Sequence, residues 1–230
     1  MPGYIMHLSE ANLILNQLFD DRDELFKRKF IAGNLLPDTK LARAKVTSHF
    51  WNPDSLEQMA IPPDLSLFLG KYEDCLSDPI CLGYYAHLYL DEKFVKEYWP
   101  EMVTFFDDDM QIQPKKEDIT LARIEKTGQI VPRETFFTGE YYYGDYSRLN
   151  AYFIDRYQVN LNLPLTEIGE CPVEEVVVDD LARVLLELHT ITERCPREEE
   201  TRVFDRERLS RFLEHTALQF AEEIKGRGLV

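Results

Sequence analysis

Apolar residues recur near helical spacing through much of the chain, starting with Leu13, Ile14, Leu18, Leu25 and Phe26. They predict helix over 9–31, with Ser9 as a cap and the charged run Asp20-Asp21-Arg22-Asp23-Glu24 as a turn or a second helix start. Gly33 to Pro37 ends this segment, and 38–66 holds enough Pro, Asn and Asp to read as mostly loop. The strongest start signal is Asp78-Pro79, an acceptor side chain at the cap followed by proline at the first helical position. That helix is expected to run to about Tyr98, with Pro100 discouraging further regular helix and Asp107-Asp108-Asp109 forming a solvated break. Between 129 and 144, Ile130, Val131, Thr135, Phe136, Phe137 and Tyr141 to Tyr143 stand around Gly139 and before Gly144, which predicts a small β-hairpin. Further helices are predicted over 146–157 with Asp145 as cap, over 173–193, and from Asp205 or Ser210 onward. No internal repeat and no linker interrupts this pattern. The expected fold is mainly α: a multi-helix single domain over 1–230, with 100–175 as an inserted elaboration that covers or borders the functional site.

Composition narrows the function. The 42 acidic residues against 26 basic ones give a formal charge of −16, which opposes long-range attraction to bulk nucleic acid or to an anionic lipid surface. A small ligand remains open, because a bound dication reverses the local field. The opening Met1-Pro2-Gly3-Tyr4-Ile5-Met6-His7 has no basic start and no long apolar run, so the expectation is a cytoplasmic protein with no transmembrane segment. Cys75, Cys81, Cys171 and Cys195 lack C-x-x-C spacing and read as free, mostly buried thiols.

The chemistry gathers around histidine and aspartate. His87 and Asp91 are four apart in the best-supported helix, on one face and about one turn apart, where both can reach a single ion. Such a pair is more often a surface hydrogen bond. Asp38 follows a proline-fixed loop, Gly33-Asn34-Leu35-Leu36-Pro37, and His49 sits among large apolar groups in Ser48-His49-Phe50-Trp51. Singly, each has a bland reading, as a turn cap or a satisfied core histidine. Together with His7 they form a nitrogen and oxygen donor set of the kind zinc accepts.

The ordered set His7, Pro37-Asp38, Ser48-His49-Phe50 and Gly83-Tyr84-Tyr85-Ala86-His87-Leu88-Tyr89-Leu90-Asp91 resembles the zinc-dependent phospholipase C family, related in architecture to the S1/P1 nucleases, over roughly the first hundred residues. The resemblance implies an all-helical fold with one to three zinc ions and hydrolysis of a phosphoester. It implies that Asp38, His49, His87 and Asp91 surround one zinc and that Asp91 bridges to a second, also bound by His7. An N-terminal amine ligand is implied as well, which removal of Met1 would place at Pro2. A further histidine soon after Asp91 is expected from the family and is absent here, Glu97 standing near its place. His189 and Glu193 have the spacing of the family's second ligand unit, though nearly a hundred residues later, and an ordinary helix-end pair is an equal reading.

The activity so implied is that of a hydrolase of phosphodiesterase type, acting on a small phosphorylated substrate or a lipid headgroup, with Asp38 orienting or deprotonating water as the catalytic residue. Lys40, Arg43 and Lys45, in an acid-free stretch, are candidates to attract the phosphate or a merely solvated basic loop. A helical phosphohydrolase of the HD kind needs adjacent His-Asp residues, which the chain lacks. The reading from a different class is a non-catalytic metal-binding or degenerate member of the same fold.

Overall fold

The computed structural model describes residues 2–160, 167–193 and 199–229. Within them the fold is mainly α, with one small antiparallel sheet. The helical segment expected over 9–31 is two helices, α1 (Tyr4–Leu18) and α2 (Glu24–Leu35), the second starting at the charged run as one of the two readings of it has it. Ser9 is no cap; it lies inside α1, and its hydroxyl donates back to the Ile5 carbonyl at 2.6 Å. The charged run breaks the helix because Asp23 caps α2, accepting from the Phe26 amide at 2.8 Å.

After α2 the chain tightens into a 3-10 turn, Leu36–Thr39, and then forms α3 (Lys45–Ser48) and α4 (Leu65–Tyr72). Helix α5 (Pro79–Lys93) starts where Asp78-Pro79 predicts, with the Asp78 carboxylate accepting from the Ile80 and Cys81 amides. Every residue from Ile80 to Asp91 is buried, so α5 is enclosed on all sides as the central helix. A π-helical turn, Phe94–Tyr98, carries it into α6 (Trp99–Met102), where Pro100 is accommodated in the first turn.

The sheet comprises β1 (Val103–Phe106), β2 (Leu121–Ile124) and β3 (Ile130–Pro132), in that order and antiparallel. Ala122 faces Phe105 on one side and Val131 on the other. The β elaboration therefore exists, but not as a hairpin within 129–144. Only Ile130–Pro132 is strand, pairing backward with β2 across a turn that Gly128 permits at φ 72°. The aromatic run beyond it is helical, in α7 (Arg133–Phe136) and α8 (Tyr142–Tyr157), because Phe136 and Tyr142 reach the core from short helical turns. Asp145 lies within α8 instead of capping it, and its carboxylate accepts from the Arg202, Val203 and Phe204 amides. Helix α9 (Leu181–Glu193) is shorter than the expected 173–193, and Asp205 caps α10 (Arg206–Gly226). No helix among the described residues is long and apolar enough to cross a membrane. Cys195 lies outside the described residues; Cys75, Cys81 and Cys171 are free thiols.

The helix pair α2 and α5 sets the position of the site. At their crossing, a β-carbon on Gly33 would fall 2.0 Å from the Ile80 carbonyl oxygen, and one on Gly83 would fall 1.9 Å from that of Phe30. Only glycine permits this backbone contact, and the approach brings the Asn34 carbonyl to within 2.7 Å of the His87 ring. Gly83→Ala should therefore cost at least about 1–3 kcal/mol, since backbone on both sides resists the added methyl. Gly70→Ala, on α4 with nothing within 4 Å of its β-carbon, should be neutral or stabilising by about 0.5–1 kcal/mol. Urea denaturation of the two variants checks the contrast, and equal stabilities would contradict the close crossing.

Candidate metal centre

Four chain segments deliver the donors. His7 comes from α1, Asp38 from the 3-10 turn after α2, His49 from the residue ending α3, and His87 with Asp91 from one face of α5. The loop from Pro37 to His49 is held in place by several bonds. Ser48 Oγ donates to the Pro37 carbonyl at 2.9 Å, Tyr84 Oη donates to the Ser48 carbonyl at 2.5 Å, and Arg183 Nη2 donates to the carbonyls of Asp38 and Thr39. Phe50, at φ 50°, turns the chain away directly after His49.

The five side chains meet in the interior. His7, His87 and Asp91 form one group in which each donor atom lies within 4.8 Å of the others, and Asp38, His49 and His87 form a second. The His7 and His87 rings stack with centroids 3.7 Å apart, and His49 stands edge-on to His87 at 5.3 Å. Asp91 Oδ1 is 3.4 Å from His7 Nε2, while its Oδ2 is 3.6 Å from His87 Nε2 and 3.7 Å from His49 Nε2. His49 Nε2 is also 3.4 Å from Asp38 Oδ1. All five residues are buried, with Asp38 the most accessible at 8%.

At 3.4–3.7 Å these separations are longer than ordinary hydrogen bonds. They equal the spacing of two ligands on one ion, since donors at about 2.0–2.1 Å in a tetrahedral shell lie roughly 3.4 Å apart. The tautomers fit the same arrangement. His87 Nδ1 faces the Asn34 carbonyl at 2.7 Å and must carry the proton. Ser48 spends its hydroxyl proton on Pro37, so its oxygen accepts from His49 Nδ1 at 3.0 Å. Neutral His49 and His87 thus turn their Nε2 lone pairs toward carboxylate oxygens, an arrangement that repels unless a cation lies between. His7 Nε2, His49 Nε2, His87 Nε2 and both Asp91 oxygens are accordingly buried without a hydrogen-bond partner. The buried histidine and aspartate groups could hold a metal ion, and an outer hydrogen bond on each of two imidazoles is the usual support for a ligating histidine.

Charge follows burial. Desolvation alone would push the Asp91 carboxyl up; without a metal, protons on His7 and His87 would hold it well below the carboxylate range, a part that a cation takes over when the imidazoles stay neutral. Asp38 is likewise lowered against its burial, by His49, His87 and Lys45, whose Nζ lies 2.6 Å from Asp38 Oδ1. Burial lowers His49, and burial with the neighbouring His87 lowers His7 to about 4. Above Asp38 opens a cavity of about 420 Å³, bounded by Lys45, Trp51, Trp99 and the tyrosines of α8 among others.

The remaining candidates stand elsewhere. His189 is on the exposed face of α9 and belongs to neither donor group, so the helix does not direct it at the cluster; the Glu193 side chain lies outside the described residues. The apolar neighbours that suggested burial divide themselves, with Leu188 buried and Leu186 exposed at 67%. Glu97 is exposed and paired with Lys93. Of the basic loop, Lys40 pairs with Asp180, Arg43 is exposed, and only Lys45 reaches the cavity.

Sequence reasoning missed Glu10. It is fully buried on α1, one turn from His7, and neither of its oxygens has a partner. Burial, reinforced by Asp91, pushes its carboxyl well above the usual range. An acid within the apolar stretch Ala11 to Leu15 and Tyr4 to Leu8 was the available signal.

No protein-family model, curated protein or solved structure matches the chain.

Two pH effects follow, of opposite sign. His7 takes up its proton later in the folded protein than in the unfolded chain, so stability falls as pH drops from about 6.5 to about 4 in metal-stripped protein. His7→Gln should flatten that slope in urea melts, and an unchanged slope would place the titration elsewhere. For Glu10 the raised value means that the unfolded chain ionises first, so stability is lost as pH rises past 4.5. Glu10→Gln should stabilise by about 1–3 kcal/mol at pH 8 and by less at pH 4.5. A loss of stability at both would show that Glu10 has a partner that an amide cannot replace.

Proposed function

We propose that this chain is a zinc-dependent phosphoester hydrolase with a site like that of the zinc-dependent phospholipase C family. The observation that carries the reading is the set of buried nitrogen and oxygen donors, three imidazoles and two carboxylates, spaced as ligands and not as hydrogen-bonded pairs. Zinc suits it because the donors are imidazole and carboxylate with no thiolate, at tetrahedral separations. Asp38, His49, His87 and Asp91 Oδ2 would hold one ion, and His7 with Asp91 Oδ1 would contribute to a second.

Zinc bound there supplies a Lewis acid that polarises a phosphoryl group and acidifies water. The chain's own residues do the rest. Asp38 stands at the boundary between donor cluster and cavity, where its carboxylate can orient water or accept its proton. Lys45 sits beside it as a partly exposed cation, placed to neutralise an anionic substrate. Asn34 and Ser48 fix which nitrogen of His87 and His49 stays free for coordination. The cavity above Asp38 favours catalysis over a purely structural metal, because it opens one side of the donor cluster to a small ligand.

Protein purified without a histidine tag should carry zinc in at least equimolar amount and should hydrolyse p-nitrophenyl phosphate or bis-p-nitrophenyl phosphate. His87→Ala should lower zinc content and thermal stability together, because metal that binds only the folded chain adds its binding free energy to folding. Chelator should then have little further effect on the variant. Undiminished zinc in His87→Ala would refute the ligand assignment, and full zinc occupancy without hydrolysis of either ester would leave a metal-binding protein that is not this enzyme.

A further inference from the structure

The cavity that adjoins Asp38 has walls of a different chemistry from its floor. Asp38 and Lys45 form one end, and Trp51, Trp99, Tyr142 and Tyr146 form much of the remainder. Trp99 meets Tyr142 edge-on at 5.4 Å, and Tyr142 meets Tyr146 edge-on at 5.2 Å, with the Tyr146 hydroxyl donating to that of Tyr142 at 2.5 Å. Ring faces and edges are thus presented around a space of about 420 Å³, the size of a site for a small organic molecule. Trp51 joins this space to the donor cluster: it lines the cavity, and its ring stands 5.4 Å from that of His49.

We propose that this cavity selects a small phosphoryl ester bearing a flat aromatic group, with the anionic oxygens received by Lys45 and the ring packed among Trp99, Tyr142 and Tyr146. The proposal rests on the phosphoester reading of the metal centre and names the substrate class for it. Two features favour a neutral aromatic ring over a quaternary ammonium group, which aromatic walls also attract. The polar end carries the Lys45 ammonium, which repels a second cation, and the carboxylate there, Asp38, is already paired with Lys45 at 2.6 Å; the Tyr142 and Tyr146 hydroxyls are bonded to each other. An alkyl ester would bury its chain there but would lose the edge-to-face contacts that aromatic pairs gain beyond their area.

The test uses phosphonates, which resist hydrolysis and so separate binding from leaving-group reactivity. Zinc-loaded protein of measured metal content is titrated calorimetrically with phenylphosphonate, methylphosphonate and 2-(trimethylammonio)ethylphosphonate. Phenylphosphonate should bind about tenfold more tightly than methylphosphonate. Lys45→Met, which keeps the stem and removes the charge, should weaken binding of phenylphosphonate and methylphosphonate several-fold with zinc content unchanged. Tyr143→Ser, at an exposed position on the cavity rim, should reduce the preference for phenylphosphonate while leaving methylphosphonate binding as it was. Equal binding of phenylphosphonate and methylphosphonate, or tighter binding of 2-(trimethylammonio)ethylphosphonate than of phenylphosphonate, to protein that retains its zinc overturns the aromatic selection alone. A protein that takes up no zinc overturns the metal-centre reading and this proposal with it.

Discussion

Asp91 is the constraint around which the molecule is organised. Its carboxylate lies at the end of the buried stretch of the central helix, with no exposure to solvent and no hydrogen bond to either oxygen. An ionised carboxylate in that position carries a large desolvation penalty unless opposite charge or coordination offsets it. Three imidazoles from three different segments face it, at distances that match shared coordination better than hydrogen bonding. A protonated imidazole pair could offset part of the cost, but the burial that holds His7 at about 4 opposes it at neutral pH. A dication among the donors resolves the conflict for all of them at once.

The scaffold serves that arrangement through backbone contact more than through side-chain packing. Gly33 and Gly83 let α2 and α5 touch, which places the Asn34 carbonyl on the His87 ring and fixes its tautomer. The Pro37 to Ser48 loop does the same for His49 through one hydroxyl. Arg183, from α9, holds the Asp38 turn by its carbonyls and leaves the carboxylate facing the cavity and the cluster. The donors are placed by four separate elements, and the aromatic cavity comes largely from the segment after α5.

The donor set was legible in the sequence because its members are of rare type: the chain has 5 histidines, and three of them converge. The spacing of His87 and Asp91 fixes their common helix face, and the Asp78-Pro79 start fixes that the segment is helical at all. His189 could not be placed the same way. Its spacing from Glu193 is right, yet the face that a helix presents depends on tertiary packing, and α9 buries Val184 and Leu188 while turning His189 outward. The hairpin expected over 129–144 shows a similar limit, since β-branched and aromatic composition describes residues that fill a core and is silent on whether strands or short helices bring them there. Glu10 was overlooked for the opposite reason: a single acid on a helix is ordinary until burial removes its solvent, and only its apolar neighbours signal that burial.

Zinc K-edge X-ray absorption on protein purified without a tag tests the central claim most directly. The account predicts a first shell of four nitrogen or oxygen scatterers at about 2.0–2.1 Å, including at least two imidazoles recognisable by their outer-ring scattering, and no sulfur. The imidazole signal should fall in His49→Ala. A shell containing sulfur at about 2.3 Å, or a zinc edge absent from well-folded protein, would contradict it.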